Sequence, residues 1–233
     1  MRKLIIIAAI LGCNFMASAQ TYNGEGEVWF LLLNHYKINE KWTVGNELHW
    51  RRTDGLSTMK QFIFRPFVNF KPGESTVYSA GYSFITTHPY GKFPRADVQP
   101  EHNVWEQVTL NQKLGKTSIS HRYRMEHRFQ GDLQTQPSGE IEVGGYDFSH
   151  RFRYRLTVKQ PLGEDYFFHG FDELWVSIED RFNSGNLSQN WLYLGLGRNI
   201  PNGNIQVAYL RQHSIGAQVE KHHSVQFTVQ YDF

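Results

Sequence analysis

The chain has 233 residues, a formal net charge of +2, 20% charged and 15% aromatic residues, and a mean hydropathy of −0.51. Near-balanced charge argues against a nucleic-acid-binding protein. After the first residues no run approaches the ~18 apolar residues of a membrane helix, so any membrane crossing falls to strands.

Residues 1–19, MRKLIIIAAILGCNFMASA, have the form of a secretory signal peptide: Arg2 and Lys3, an apolar stretch from Leu4 to Leu11, and the small-residue site Ala17-Ser18-Ala19. A rival site, Ile10-Leu11-Gly12 before Cys13, resembles a bacterial lipoprotein signal, but Leu11 is large for its position and the cut after Ala19 fits better. The mature chain, 20–233, then holds no cysteine, which excludes disulfides, thiol catalysis and cysteine metal sites. It carries no composition break, so a single domain is expected.

Strand-like segments follow in chain order at 26–37, 41–51, 58–70, 75–86, 101–113, 117–130, 147–160, 168–181, 187–198, 203–213 and 222–232. No stretch with a 3.6-residue period competes with them. Short connections (INEK at 38–41, KPGE at 71–74, LGK at 114–116, IPNGN at 200–204) alternate with long ones at 87–100, 130–146 and 212–222. The pair Asn202-Gly203 favours a tight hairpin turn. Alternating short turns and long loops is the arrangement of an outer-membrane barrel.

Within the segments the faces separate by parity, as strands require. In HRYRMEHRF, Arg122, Arg124, Glu126 and Arg128 oppose His121, Tyr123, Met125, His127 and Phe129. In HRFRYRL, Arg151, Arg153 and Arg155 share one side, and in 168–181 Glu173, Trp175 and Glu179 oppose Leu174, Val176 and Ile178. Glu47, His49 and Arg51 oppose Leu48 and Trp50, whereas 58–70 is noisier, with Ile63 and Phe67 on the side of Arg65.

Alternation does not say which face points inward. A soluble secreted barrel or sandwich would solvate the arginines and bury the leucines, and a membrane barrel would do the reverse. Segments of ten to fourteen residues suit tilted membrane strands, which need ~9–11. Trp42, Trp50, Phe62, Phe70, Tyr231 and Phe233 recur near strand ends, as interfacial girdles do. The terminal YDF, with Tyr231 and Phe233, is similar to the signal read by outer-membrane assembly machinery. The expectation is an all-β, antiparallel transmembrane barrel of about 10–12 strands in the outer membrane of a Gram-negative bacterium, contacting lipid and that machinery.

The strings HRYRMEHRF, HRFRYRLTVKQPL, FDELWVSIED, LSQNWLYLGLGRNI and VAYLRQ together resemble a family of uncharacterised bacterial proteins, a domain of unknown function predicted to form an outer-membrane β-barrel. The resemblance covers roughly residues 25–233 and is strongest after 118. It implies the fold and brings no catalytic residues.

In such a barrel Arg51, Arg65, Arg122, Arg124, Arg128, Arg151, Arg153 and Arg155 face the lumen with Glu47, Glu126, Glu173 and Glu179, a surplus of four positive charges that Lys159 or Glu106 could alter. This network has two readings: a packed structural interior, or a narrow pore favouring small anionic solutes such as acidic sugars. A third class is a loop-display adhesion barrel. A lipid-modifying enzyme is less favoured, because no serine has a nucleophile context near His121, His127, His150, His222 or His223. No cofactor or metal is expected, since adjacent His222 and His223 point to opposite faces of a strand. Bacterial single-chain barrels have even strand numbers, so the eleven segments imply ten or twelve, with VWFLLLNHY (28–36) as the segment in question.

Overall fold

The computed structural model describes residues 21–23, 26–92, 94–178, 186–215 and 219–233. The signal peptide read at 1–19, including Cys13, lies outside these residues, as does Glu179.

Each of the eleven expected segments forms a strand over its described residues, with 179–181 of the segment 168–181 lying outside them. After a three-residue β1 (Thr21–Asn23) they are β2 (Glu27–Lys37), β3 (Trp42–Thr53), β4 (Thr58–Phe70), β5 (Thr76–Thr87), β6 (Gln99–Leu114), β7 (Thr117–Thr135), β8 (Ile141–Pro161), β9 (Tyr166–Ile178), β10 (Leu187–Ile200), β11 (Gly203–Ser214) and β12 (Val219–Asp232). Chain neighbours from β2 to β12 pair antiparallel, and β12 returns to β2 to close one sheet. Eleven strands close the barrel, in place of the even ten or twelve expected. Direction reverses at each hairpin, so with an odd number the first and last strands run the same way and their seam is parallel. It joins Ser224 beside Glu27 through Asp232 beside His35, and β1 continues along the same strand, with Thr21 beside Val219. Segment 28–36 is thus a full barrel strand.

A circuit begun at Lys37 and followed through successive cross-strand partners returns to the N-terminal stretch at Tyr22, fifteen residues back. A stagger of this kind goes with strands tilted by ~35–45° to the barrel axis.

Two expectations about the connections are corrected. The stretch 130–146 is mostly strand, because β7 and β8 run on to Thr135 and back from Ile141. With water on both faces of this projecting hairpin, nothing selects a period-two apolar pattern, so it read as loop. The 54–57 connection is also short, with Asp54 and Leu56 at φ of 52° and 78°, which breaks the strict alternation. The tight turn at 200–204 is present with a shifted centre. Pro201 and Asn202 form it, Asn202 takes φ of 57°, and Gly203 opens β11 where a Cβ would lie 1.9 Å from the Gln230 carbonyl oxygen.

The apolar parity faces out. Leu194, Leu196, Val207, Val225 and Phe227 are exposed, while Arg124, Arg153, Glu126 and Glu173 are buried inside. A soluble sandwich is thereby replaced by one closed sheet with its polar face inward. At the short-turn rim the outer aromatics pair: Tyr36 with Phe233 at 4.7 Å between ring centres, Trp42 with Phe70 at 4.7 Å, and Tyr231 with Phe233 at 6.0 Å. Trp50, cross-strand from Phe62, meets Phe30, which also stacks on Phe227 across the seam at 5.7 Å. Inside, the wall makes room for rings where it carries glycine: a Cβ at Gly81 would lie 2.4 Å from the Trp105 ring and 2.6 Å from the Pro66 carbonyl oxygen.

Candidate functional site: the lumen charge layer

Adjacent β7, β8 and β9 build the centre of the lumen. Their register sets Arg122 opposite Arg155, Arg124 opposite Arg153, Glu126 opposite Arg151, and Arg155 opposite Glu173. Two directly opposed arginine pairs would repel each other, and the two glutamates resolve this from either side. Glu126 accepts from Arg151 Nε at 2.7 Å and Arg153 Nη1 at 2.7 Å. Glu173 accepts from Arg153 Nε at 2.9 Å, from Arg155 Nη2 at 2.7 Å and from Arg122. Arg153 thus bridges both carboxylates, each with 0% exposure. Charge-assisted bonds at these lengths are the strong class, and leaving any one member unpaired would be costly.

The outlying lumen charges form smaller units. Arg65 Nη1 donates to Glu47 at 2.6 Å, where His49 Nε2 also approaches at 2.9 Å. Arg128 holds Glu101 with two parallel bonds of 2.8 Å. Among the described residues Arg51 has no carboxylate in hydrogen-bond reach; it donates to Gln61 at 2.6 Å and lies over Trp29 at 3.8 Å. Arg124 donates to Gln107 at 2.9 Å, lies over Trp105 at 4.0 Å, and comes no closer than 3.9 Å to Glu126. Every sequence-predicted lumen charge among the described residues therefore points inward.

Several were missed. Glu27, buried at the start of β2, accepts from Trp29 Nε1 at 2.8 Å, Lys60 Nζ at 2.5 Å and Ser224 Oγ at 3.2 Å, with His222 Nδ1 at 2.9 Å, and so ties β2, β4 and β12 together at the seam. Lys60 escaped the parity reading because it is the extra residue of a bulge opposite Arg51 and Arg52. Glu101 and Glu220 also face in, and Lys159 lies over the buried Phe167. Among the described residues, the buried and half-buried lumen side chains keep a surplus of four positive charges once these are added and Glu179 is left aside. Glu106 points outward.

The layer leaves a cavity of about 350 Å³, lined by Arg51, Arg122, Arg151, Arg155, Phe171 and Trp191 among others. Two buried guanidinium nitrogens on residues of this lining, Arg51 Nε and Arg122 Nε, have no hydrogen-bond partner among the described residues, and the same holds for Arg124 Nη1 and Arg211 Nε on side chains outside the lining. Buried donors of this kind call for an acceptor.

The histidines lie as the strand parity requires. His127 and His150 face outward with their Nδ1 atoms 2.9 Å apart, and His127 Nε2 meets Glu106 at 3.2 Å. His222 points in to Glu27 and His223 out to Tyr209 at 2.6 Å. Among the described residues no group of three or more histidine, cysteine or acidic side chains could hold a metal ion.

Residues 26–223 match a family model described as Protein of unknown function (DUF2490). An uncharacterised protein of Methylorubrum extorquens AM1 is 25% identical over 220 residues, spanning 91% of this chain and 88% of that one. Among solved structures, the NanC porin in a rhombohedral crystal form is similar with a TM-score of 0.49 and 11% identity, covering 82% of this chain and 89% of that one. Since the family model spans most of the strands that build the barrel and its charge layer, the chain belongs to this family of proteins of unknown function.

Proposed function

We propose that the protein is a barrel of the bacterial outer membrane, its apolar face against lipid, and that its lumen is a narrow pathway for small anionic solutes without catalytic activity. The membrane placement rests on the outward apolar parity and the aromatic rim, which in water would expose a belt of leucine, valine and aromatic side chains. The anion preference is carried by one observation: two buried arginine nitrogens without an acceptor, Arg51 Nε and Arg122 Nε, on the lining of a cavity whose wall keeps a positive surplus. In a low-dielectric tube such a field concentrates anions and repels cations. The filled central layer implies small conductance.

The mature protein, extracted from outer membranes in detergent, should migrate differently on a gel before and after boiling in SDS, as a folded barrel does. In a planar bilayer under a potassium chloride gradient, the reversal potential should then favour chloride, and Arg51→Gln should reduce that preference. A folded barrel that passes cations, or nothing, refutes the pathway and leaves a packed structural interior.

A further inference from the structure

β8 and β9 set two chemical columns side by side on the lumen wall. β8 presents Lys159, Arg155, Arg153 and Arg151, and β9 presents Phe167, Phe171 and Trp175. The cations lie on the ring faces: Lys159 Nζ is 3.8 Å from the Phe167 centroid, the Arg155 guanidinium carbon 3.9 Å from Phe171, and that of Arg153 3.6 Å from Trp175. Cation–ring contacts of this kind stabilise a wall. That suffices for Arg153, which is locked between two carboxylates, and for Phe167, which is buried.

It does not suffice for the middle step. The Arg155 side chain keeps 22% exposure, and Phe171 lies beneath it, stacked face to face on Tyr193 with centres 4.7 Å apart and planes 6° from parallel. Arg155, Phe171, Tyr193 and Arg122 all line the cavity, and Arg122 is one of the arginines with an unpartnered buried nitrogen. A flat apolar platform and two guanidinium groups thus meet at one cavity wall.

We infer that this step is a subsite for carboxylates carried on a ring with an apolar face that stacks on Phe171, a reading that rests on the anion pathway proposed above. Arg155 exchanges its bonds to Glu173, which Arg153 and Arg122 continue to hold, for bonds to the solute: the ring takes the place of the Arg155 guanidinium on the Phe171 face, and the carboxylate accepts hydrogen bonds from the displaced Arg155 and from Arg122. Chloride and acetate satisfy the charge without the platform, and a neutral sugar satisfies the platform without the charge. Aromatic acids and sugar acids share the required chemistry.

The test is block of chloride current through single channels by benzoate, glucuronate, acetate and glucose. Block by benzoate or glucuronate at concentrations roughly tenfold below acetate supports the subsite, and which of the two acts identifies an aromatic or a sugar ring as its source. Phe171→Leu should bring the ring acids to the level of acetate while chloride preference persists, and Phe171→Tyr should keep the discrimination. Equal block by acetate, or block by glucose, overturns the subsite. Chloride-selective channels that none of the four blocks overturn it as well and leave the pathway standing, whereas channels without chloride preference fail the pathway first and the subsite with it.

Discussion

The two faces of the wall built by β6, β7, β8 and β9 solve the same electrostatic problem differently. On the lumen side Glu126 and Glu173 are fully buried, and each accepts from two or more guanidinium groups. On the outer side Glu106 keeps 58% exposure and meets a single imidazole, that of His127, which leans on His150. The comparison teaches that a carboxylate in a barrel wall is held by the number and rigidity of its donors. Inside, each glutamate is a hub that several arginines need. Outside, Glu106 is a terminal member on which only one chain of contacts depends.

That contrast can be broken most severely at its hub. Glu173→Gln strands Arg122, Arg153 and Arg155 in the lumen without their shared anion, and should cost about 3–5 kcal/mol. The check is urea unfolding of the protein in lipid vesicles, followed by tryptophan fluorescence. Adding Arg155→Gln to the same chain should recover part of the loss, because it removes one of the uncompensated cations. A single variant that unfolds with the parent would remove the hub from the account.

Next in size is a steric break of the same wall. Gly81→Val drives a side chain into the Trp105 ring and the Pro66 carbonyl, and should destabilise by about 1–3 kcal/mol in the same assay. It should also disturb Arg124, which lies over Trp105, and so shift ion selectivity. Unchanged selectivity in a destabilised variant would separate the platform from the charge it carries.

The outer face should respond in the opposite direction. If the outer face meets lipid as proposed, Glu106→Gln removes a formal charge from it and should leave stability unchanged or raise it by up to about 1 kcal/mol. A loss comparable to that of Glu173→Gln would mean that the outer face is covered by something other than lipid. Smallest of all is Arg198→Ala at the short-turn rim. Its partner Asp165 is 3.8 Å away and both side chains are more than half exposed, so an effect within about 0.5 kcal/mol is expected.

The strands, and the faces of most of them, were legible in the sequence because both are expressed in a period of two, which a wall with an apolar outer face and a polar inner face enforces at every residue. HRYRMEHRF and HRFRYRL announced the charge layer before any register was known, since three arginines on alternate positions must share one face. What stayed hidden has a physical reason in each case. Lys60 sits in a bulge, where parity slips by one, so its inward direction is invisible to alternation. Glu27 gains its meaning from Lys60, His222 and Ser224, partners on strands brought beside it only by closure. The extension of β7 and β8 beyond their neighbours lies in water on both sides, where no pattern is selected. The odd strand count was obscured by a rule about evenness, which holds where the first strand begins and the last strand ends at one rim, and here they do so at opposite rims.

A parallel seam makes the order of the chain part of the architecture. In a barrel closed by antiparallel strands, the first and last strands finish at the same rim, and a few residues could join them while a new opening is cut elsewhere. Here the chain passes into β2 at Glu27 on one rim and leaves β12 at Asp232 on the other. A link between them would have to travel the height of the wall, a crossover of a dozen or more residues, either through the filled lumen or along the apolar outer face. The order of strands in this molecule is therefore not interchangeable with any of its rotations.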